Sequence, residues 1–187
     1  MNYDIKAIPT WYKGRKYRSR LEAKWQIMFD KLGWETQYEP SQINGFNPDF
    51  IIRSYSDFYP NKIIIVEVKP SVFITDKYIS EVQNKYMNVG ANVLILDDMP
   101  FLREGKDCRT IKLGIGAETD KGKMLDFHNV LMKGNNDFST CTYSFDGWIY
   151  NNTDRKSWMD IHEDYNEWTL LHDIWNNAGN ELMFNVK

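Results

Sequence analysis

The order of its apolar segments predicts that the chain is an α/β protein, with helices flanking a mixed sheet. One helical pattern is followed by three strand patterns, a second helix and a fourth strand, giving the order αβββαβ. The helices show as apolar residues recurring every three or four positions, and the strands as short apolar runs closed by prolines and turn residues. With 187 residues, of which 42% are hydrophobic, the chain is long enough for one well-buried domain. We expect a single domain over 1–187, with its core in about 12–97 and an α+β extension, about 98–187, packed on that core.

The first helix is expected from about Arg18 to Leu32, because an apolar stripe runs along it and Gly33, a common helix-ending residue, follows. Glu22 lies at the border of that stripe, where its carboxylate can reach the edge of a sheet. It also fits a capping box with Ser19, in which the glutamate closes on the backbone at the helix start. The residues alone therefore leave Glu22 as either a helix cap or a member of a site.

The remaining core elements follow in the order that the pattern predicts. Three strands are expected at Trp34–Glu39, Gly45–Arg53 and Lys62–Lys69, then a helix at about Thr75–Val89 and a strand at Ala91–Leu96. The last three elements form a strand–helix–strand unit, so their two strands should be parallel.

The second half of the chain shows a weaker pattern. Strands are expected at Ile111–Ala117 and Cys141–Tyr150, and a final helix from about His162 to Ala178. Aromatic and leucine side chains recur on one face of that helix, and Gly179 follows it. Bulky side chains at this spacing indicate packing against the core, so we expect no dispensable tail.

The third strand carries charge where a buried strand should not. Its apolar run from Ile63 to Val68 predicts burial on both faces, yet side-chain alternation puts Glu67 and Lys69 on one shared face. Burying an ion costs several kcal/mol unless something compensates it. Asp49 lies on the preceding strand pattern, which can pair with this one. Two acids and a lysine at the end of a sheet indicate a site for a hard cation, with a base or water-positioning group beside it.

The net charge of −3 argues against binding of a polyanion, but the distribution of charge along the chain favours it. Residues 1–25 hold seven Lys or Arg and two acids, whereas residues 150–187 hold seven acids and three bases. A basic face on an acidic protein can bind phosphate locally, because the nearby field matters more than the total. A solvated run of charge explains the same pattern equally well.

Other classes of protein find little support. No apolar run exceeds the length of a strand, and the start of the chain lacks the basic and apolar regions of a signal peptide. The two cysteines have no metal-ligand spacing, which fits a reducing cytosol, so a cytoplasmic location is expected. Gly114-Ile115-Gly116 lacks the strand–turn–helix context of a nucleotide-binding loop.

Pro48-Asp49 followed by Glu67-Val68-Lys69 resembles the motif of the PD-(D/E)XK nuclease superfamily. The run from Arg18 to Trp25 is similar to the helix that carries a further acid in many members. The resemblance covers about residues 12–97 and is nearest to phage-encoded nucleases and to endonuclease subunits of cut-and-paste transposition systems. It implies a restriction-endonuclease-like core and hydrolysis of phosphodiester bonds, in DNA by preference and within the strand.

The resemblance also implies roles for individual residues. Asp49 and Glu67 would hold magnesium, or manganese in its place, together with the backbone carbonyl of Val68. Glu22 would take a second-metal or water-mediated position, and Lys69 would orient the attacking water or offset developing charge. The implied catalytic set is Glu22, Asp49, Glu67 and Lys69. Phosphate contacts are expected from the basic N-terminal segment and from the second helix, at Lys13, Arg15, Lys16, Arg18, Arg20, Gln83 and Lys85.

A second class stays open, a nuclease-fold protein that no longer cuts and serves as a nucleic-acid-binding or assembly module. Catalysis is favoured because a site that no longer cuts is free to lose the lysine or an acid, and this chain keeps all four residues of the implied catalytic set. The expected partner is DNA, in the host-cell cytoplasm if the chain is phage-encoded. A second copy of the chain, or another phage or mobile-element protein, is the further partner considered, and no membrane is expected.

Overall fold

The computed structural model describes residues 7–53, 63–98, 102–103, 110–117, 119–120, 123–124, 128–133 and 167–184. Its strands are β1 (Thr10–Tyr12), β2 (Arg15–Tyr17), β3 (Thr36–Tyr38), β4 (Phe50–Arg53), β5 (Ile63–Val68), β6 (Asn92–Leu96), β7 (Leu102–Arg103), β8 (Thr110–Ala117), β9 (Thr119–Asp120), β10 (Lys123–Met124) and β11 (His128–Lys133). The helices are α1 (Arg20–Lys31), α2 (Asp76–Tyr86) and α3 (Glu167–Phe184), and a short 3-10 turn spans Ser71–Phe73. The strand predicted at Cys141–Tyr150 lies outside the described residues.

One mixed sheet organises the described part of the chain. Its strands run in the order β11-β8-β6-β5-β4-β3, and β7 pairs with β8 off this path. Strands β5 and β6 are parallel, as predicted for two strands joined by a helix, whereas β4–β5, β3–β4 and β6–β8 are antiparallel. The order α1-β3-β4-β5-α2-β6 gives the predicted αβββαβ arrangement. The α/β class is therefore confirmed.

Alternation along β5 divides its side chains between two apolar layers. Ile64, Val66 and Val68 join the larger core, which also contains the buried face of α1. Ile65 joins the smaller core, where it meets Val82 and other apolar residues of α2 and β6. Glu67 alternates onto the same side as Ile65, so the strand delivers its carboxylate toward α2.

Helix α1 begins two residues later than predicted, at Arg20, and Ser19 caps it. The Ser19 Oγ accepts a hydrogen bond from the Glu22 backbone N–H at 3.1 Å. Trp25 and Phe29 are fully buried on the inner face, and Gly33 follows the helix with a φ of 71°. A left-handed residue at this position lets the chain leave the helix at once, as expected for glycine.

Helix α3 packs across α1 and extends the larger core. The ring of Trp175 lies 4.7 Å from that of Trp25, and Ala178 and Leu182 are buried in the same cluster. The prediction that the helix ends before Gly179 is wrong, because α3 continues to Phe184. Burial of Leu182 one turn later offsets the roughly 0.5–1 kcal/mol that a glycine costs inside a helix. None of the described helices is long and apolar enough to cross a membrane.

The segment before α1 forms a hairpin that the sequence analysis did not predict. Its strands β1 and β2 pair antiparallel. Its turn, Lys13-Gly14, has φ values of 45° and 76°, the left-handed pair that a tight hairpin requires. Tyr12 and Tyr17 are buried and fix the hairpin to the core.

Strand β4 is shorter than predicted, since it starts at Phe50 rather than at Gly45. Asn44 and Gly45 instead form the centre of a separate tight turn, with φ values of 55° and 80°. Asp49 consequently lies directly before β4 rather than within it.

Candidate active site

Three buried carboxylates meet at one cleft, which we call the acidic cleft. It has a volume of about 830 Å³ and lies where β4, β5, α1 and α2 converge. Glu22, Asp49 and Glu67 line it, and their exposed fractions are only 7%, 6% and 7%. Lys69 and Lys85 also line it, so the cleft combines a concentration of negative charge with two flexible cations.

Asp49 is held from both sides of its carboxylate. Its Oδ2 accepts a hydrogen bond of 2.7 Å from the backbone N–H of Val68, and its Oδ1 pairs with the Arg18 guanidinium. The antiparallel pairing of β4 with β5 places Asp49 beside Val68. Burial nevertheless raises the pKa of Asp49 to about 7, with Glu67 and then Glu22 adding repulsion that the Val68 N–H and Arg18 only partly offset.

Glu67 is anchored by α2. Its Oε1 accepts hydrogen bonds of 2.5 Å from the Lys85 ammonium and of 2.5 Å from the Tyr86 hydroxyl. Tyr86 is fully buried, and burial followed by the contact with Glu67 raises the pKa of its hydroxyl far above the ordinary value. The tyrosine therefore stays a hydrogen-bond donor at any physiological pH.

Glu22 lines the cleft, and its carboxylate contacts the side chain of the capping serine rather than the backbone contact expected of a capping box. Its Oε1 accepts a hydrogen bond of 2.9 Å from the Ser19 hydroxyl, and the same Ser19 caps the helix through the Glu22 N–H. Its Oε2 accepts a hydrogen bond of 2.6 Å from the Tyr38 hydroxyl. Glu22 thus stands at the capped helix start and at the wall of the acidic cleft at the same time.

Arg18 contacts several acids on the α1 side of the cleft. In addition to Asp49, its Nε lies 2.9 Å from a carboxylate oxygen of Glu39 and 3.8 Å from one of Glu22. About half of the Arg18 side chain, 53%, remains exposed. Arg18, which was predicted as a phosphate contact, contacts three acids in this structure.

Lys69 follows β5 directly, where its backbone N–H donates to the Leu96 carbonyl at 2.9 Å. Its ammonium lies 5.8 Å from the centre of the Phe73 ring and 5.4 Å from that of Tyr78. It forms an ion pair with none of the carboxylates in the described part of the chain. The lysine therefore brings a partly buried positive charge to the cleft without an acid that neutralises it.

The other predicted phosphate contacts divide into two groups. Lys85 lines the cleft, whereas Gln83 does not. Lys13 is paired with Asp30 at 2.7 Å, on the hairpin side of α1. The remaining three are exposed and outside the cleft lining, at Arg15, Lys16 and Arg20.

Three tyrosines of the site were not predicted from the sequence, namely Tyr38, Tyr78 and Tyr86. The helical spacing of Tyr78 and Tyr86 on α2 predicts burial, but it says nothing about what their hydroxyl groups contact. Tyr38 lies in a three-residue strand with no pattern of its own. Burial of a tyrosine next to a charged strand is the signal that would have suggested such contacts, since a buried hydroxyl finds a partner.

The donor set of the acidic cleft fits a hard divalent cation. Carboxylate oxygens and a backbone carbonyl are the ligands that magnesium prefers. The pKa of Asp49 is raised first by its burial and then by repulsion from Glu67, so a cation bound beside it would stabilise its charged form. Within the described ranges, no three His, Cys, Asp or Glu side chains are already arranged as a metal-binding group. Arg18 pairs with Asp49, and Lys85 pairs with Glu67.

Comparison of the chain with protein-family models, with curated proteins and with solved structures finds no match. The functional conclusion consequently depends on the chemistry of the cleft.

Proposed function

We propose that this protein is a metal-dependent nuclease that hydrolyses phosphodiester bonds, in DNA by preference and within the strand. The observation that carries the proposal is that Asp49, Glu67, Glu22 and Lys69 line one cleft, where Lys69 forms no ion pair with a described acid. A restriction-endonuclease-like core of the PD-(D/E)XK type is part of the proposal, and the αβββαβ order supports it.

Asp49 and Glu67 are the residues that would hold magnesium or manganese, with the Val68 carbonyl beside them and Glu22 at the second-metal or water-mediated position. When bound, the metal supplies Lewis acidity toward a phosphoryl oxygen and lowers the pKa of a coordinated water. Glu67 and Asp49 already have rigid supports in Tyr86 and the Val68 N–H, which fix their carboxylates for binding.

Lys69 would orient the attacking water and offset the negative charge that develops on the phosphate. A cation suits this role when no neighbouring acid neutralises it, and the rings of Phe73 and Tyr78 position the ammonium without doing so. Arg18 and Lys85 would balance the carboxylates before the substrate and metal enter, because each is paired with an acid of the cleft.

Exposed Arg15, Lys16 and Arg20 support binding of a polyanion near the cleft. They precede or begin α1, the helix that carries Glu22. Such contacts release counterions and make DNA binding weaken as salt rises.

A cleavage assay on supercoiled, linear and branched DNA tests the proposal. We expect cleavage with magnesium or manganese, none with a chelator, and none by Asp49→Asn. Conversion of supercoiled circles to open or linear forms would identify endonuclease action. Absence of metal-dependent cleavage on every substrate would contradict the proposal.

A binding or assembly module without catalysis is the second candidate. It is favoured by the pairing of Arg18 and Lys85 with the acids, which leaves a charge-compensated cleft. Calorimetry with magnesium discriminates the two, because a module of this kind has no need to bind metal and Asp49→Asn would leave its DNA affinity unchanged.

A further inference from the structure

Phe46 is an exposed aromatic residue at the acidic cleft that the proposed chemistry does not use. It lines the cleft, and 45% of its surface is accessible to solvent. A phenylalanine gains free energy from burial, so a partly open ring at the edge of this cleft offers a contact surface to a ligand that has an apolar face.

The backbone holds Phe46 firmly in this exposed position. Ile43 and Phe46 exchange two hydrogen bonds, of 2.8 Å and 2.9 Å, across the Asn44-Gly45 turn. Both turn residues have left-handed φ values, of 55° and 80°, which is the geometry of a tight two-residue hairpin turn. The exposure is therefore a property of a defined turn.

The two neighbours of Phe46 on α2 also contact Glu67. The Lys85 ammonium lies 5.4 Å from the centre of the Phe46 ring, and the Tyr86 ring packs against Phe46 edge to face at 6.5 Å between centres. Both neighbours donate hydrogen bonds to Glu67. An ammonium has three donors, and the described contact of Lys85 with Glu67 uses one of them.

We infer that Phe46 stacks on an unpaired base of the strand in the cleft, so that the substrate is single-stranded DNA or a single-stranded stretch of a branched DNA. The inference rests on the proposed nuclease function and narrows its substrate. An aromatic face beside a cation matches a nucleotide, whose base offers a flat apolar face and whose phosphate is anionic. Aromatic platforms of this kind bind single strands with little dependence on sequence, because every base has such a face.

A base within a duplex does not satisfy this geometry. Its two faces are already stacked on neighbouring bases, and it reaches a protein ring only after it is flipped out of the helix at an energetic cost. A single strand avoids that cost. The ring therefore favours unpaired DNA over duplex DNA at the same cleft.

Cleavage of matched single-stranded and duplex oligonucleotides by the full-length protein tests the inference. Phe46→Leu keeps apolar bulk but removes the ring, and we expect it to lower kcat/KM on the single strand by about tenfold, the scale of one lost base stack. Phe46→Tyr keeps the ring and should restore the parent's preference for the single strand. Met87→Ala alters an apolar side chain of similar exposure, 42%, outside the cleft lining, and should leave both rates at the parent level.

An abasic substrate shows whether the ring acts through a base. Removing the base that stacks should cost the parent about tenfold and cost Phe46→Leu almost nothing, since the two changes remove the same contact. Parent-level cleavage of the single strand by Phe46→Leu, or equal losses on intact and abasic strands, would overturn the inference and leave the nuclease proposal standing. If the parent cuts no DNA, the nuclease proposal fails, and fluorescence anisotropy with the same oligonucleotides then decides whether Phe46 stacks on a base.

Discussion

Two lysines line the acidic cleft, and their surroundings differ. Lys85 extends from α2 and donates to Glu67 at 2.5 Å, whereas Lys69 follows β5 and lies between the rings of Phe73 and Tyr78 without a described acid partner. Only 22% of the Lys85 side chain is exposed. The comparison indicates that Lys85 holds Glu67 in place, and under the proposed function Lys69 is the cation that would meet a reacting phosphate.

The difference between the lysines has catalytic meaning only if the acids beside them bind metal. Asp49→Asn should reduce metal-dependent cleavage to background and abolish magnesium binding measured by calorimetry, because an amide is a far weaker ligand than a carboxylate. The protein should still fold, since the change removes the cost of burying a charge beside Glu67, while the amide keeps one acceptor for Val68 or Arg18. Asp173→Asn, at an exposed position of α3, is the control and should behave as the parent. Magnesium binding unaltered by Asp49→Asn would contradict the assigned metal site.

A change at Glu22 tests whether the α1 side of the cleft also takes part in cleavage. Glu22→Gln should lower cleavage by about 10–100-fold, the usual cost of altering a group that supports a metal site. Stability should change little, because glutamine keeps an acceptor for Tyr38 or Ser19. Ser19→Ala is the complementary variant, which should cost about 1 kcal/mol of stability through the lost cap and retain most activity. If Glu22→Gln cuts like the parent, the glutamate is a cap residue alone.

The structural role assigned to Lys85 is open to a direct stability measurement. Lys85→Met leaves Glu67 with Tyr86 as its remaining donor, and we expect urea unfolding to show a loss of about 1–3 kcal/mol. Magnesium should recover part of this loss, since a bound cation replaces the missing charge. Lys77→Met removes an exposed ion pair of the same helix, with Glu81, and should cost no more than about 0.5 kcal/mol. Equal losses in the two variants would show that Lys85 is an ordinary surface lysine.

A third lysine, Lys24, lies outside the cleft lining, so its expected effect is on stability alone. Its ammonium sits 3.8 Å from the centre of the Trp175 ring, and burial lowers its pKa from 10.5 to about 8. Between these two values the unfolded chain binds more protons than the folded one, so stability should rise as the pH increases through that range. The parent should therefore gain stability relative to Lys24→Met between pH 8 and 10.5 in denaturant titrations. A constant difference between the two proteins would contradict the burial of this amine.

The sequence predicts the parts of this molecule that depend on local pattern. Alternation along β5 places Glu67 and Lys69 toward one side, and both line the cleft. The strand–helix–strand spacing predicts the parallel pairing of β5 with β6. Each of these features follows from the period of the secondary structure, which a single sequence displays.

Features that depend on distant contacts are not predictable in this way. Arg18 pairs with Asp49 from 31 residues away, and Tyr86 reaches Glu67 from 19 residues away. Nothing local distinguishes an arginine that binds phosphate from one that binds a carboxylate across the fold. The continuation of α3 through Gly179 likewise depends on the burial of Leu182 against the core. Tertiary burial overrides the local preference in that case.

Single-turnover cleavage by Lys69→Met and Lys85→Met, measured side by side with magnesium and prebound DNA, tests the central claim most directly. Lys69→Met should keep its fold and bind metal and DNA, yet cleave at least about a hundredfold more slowly than the parent, because it removes a group that acts on the transition state. Lys85→Met should lose stability but retain far more of the cleavage rate. Parent-level cleavage by Lys69→Met, or a larger loss in Lys85→Met than in Lys69→Met, would contradict the roles assigned to the two lysines.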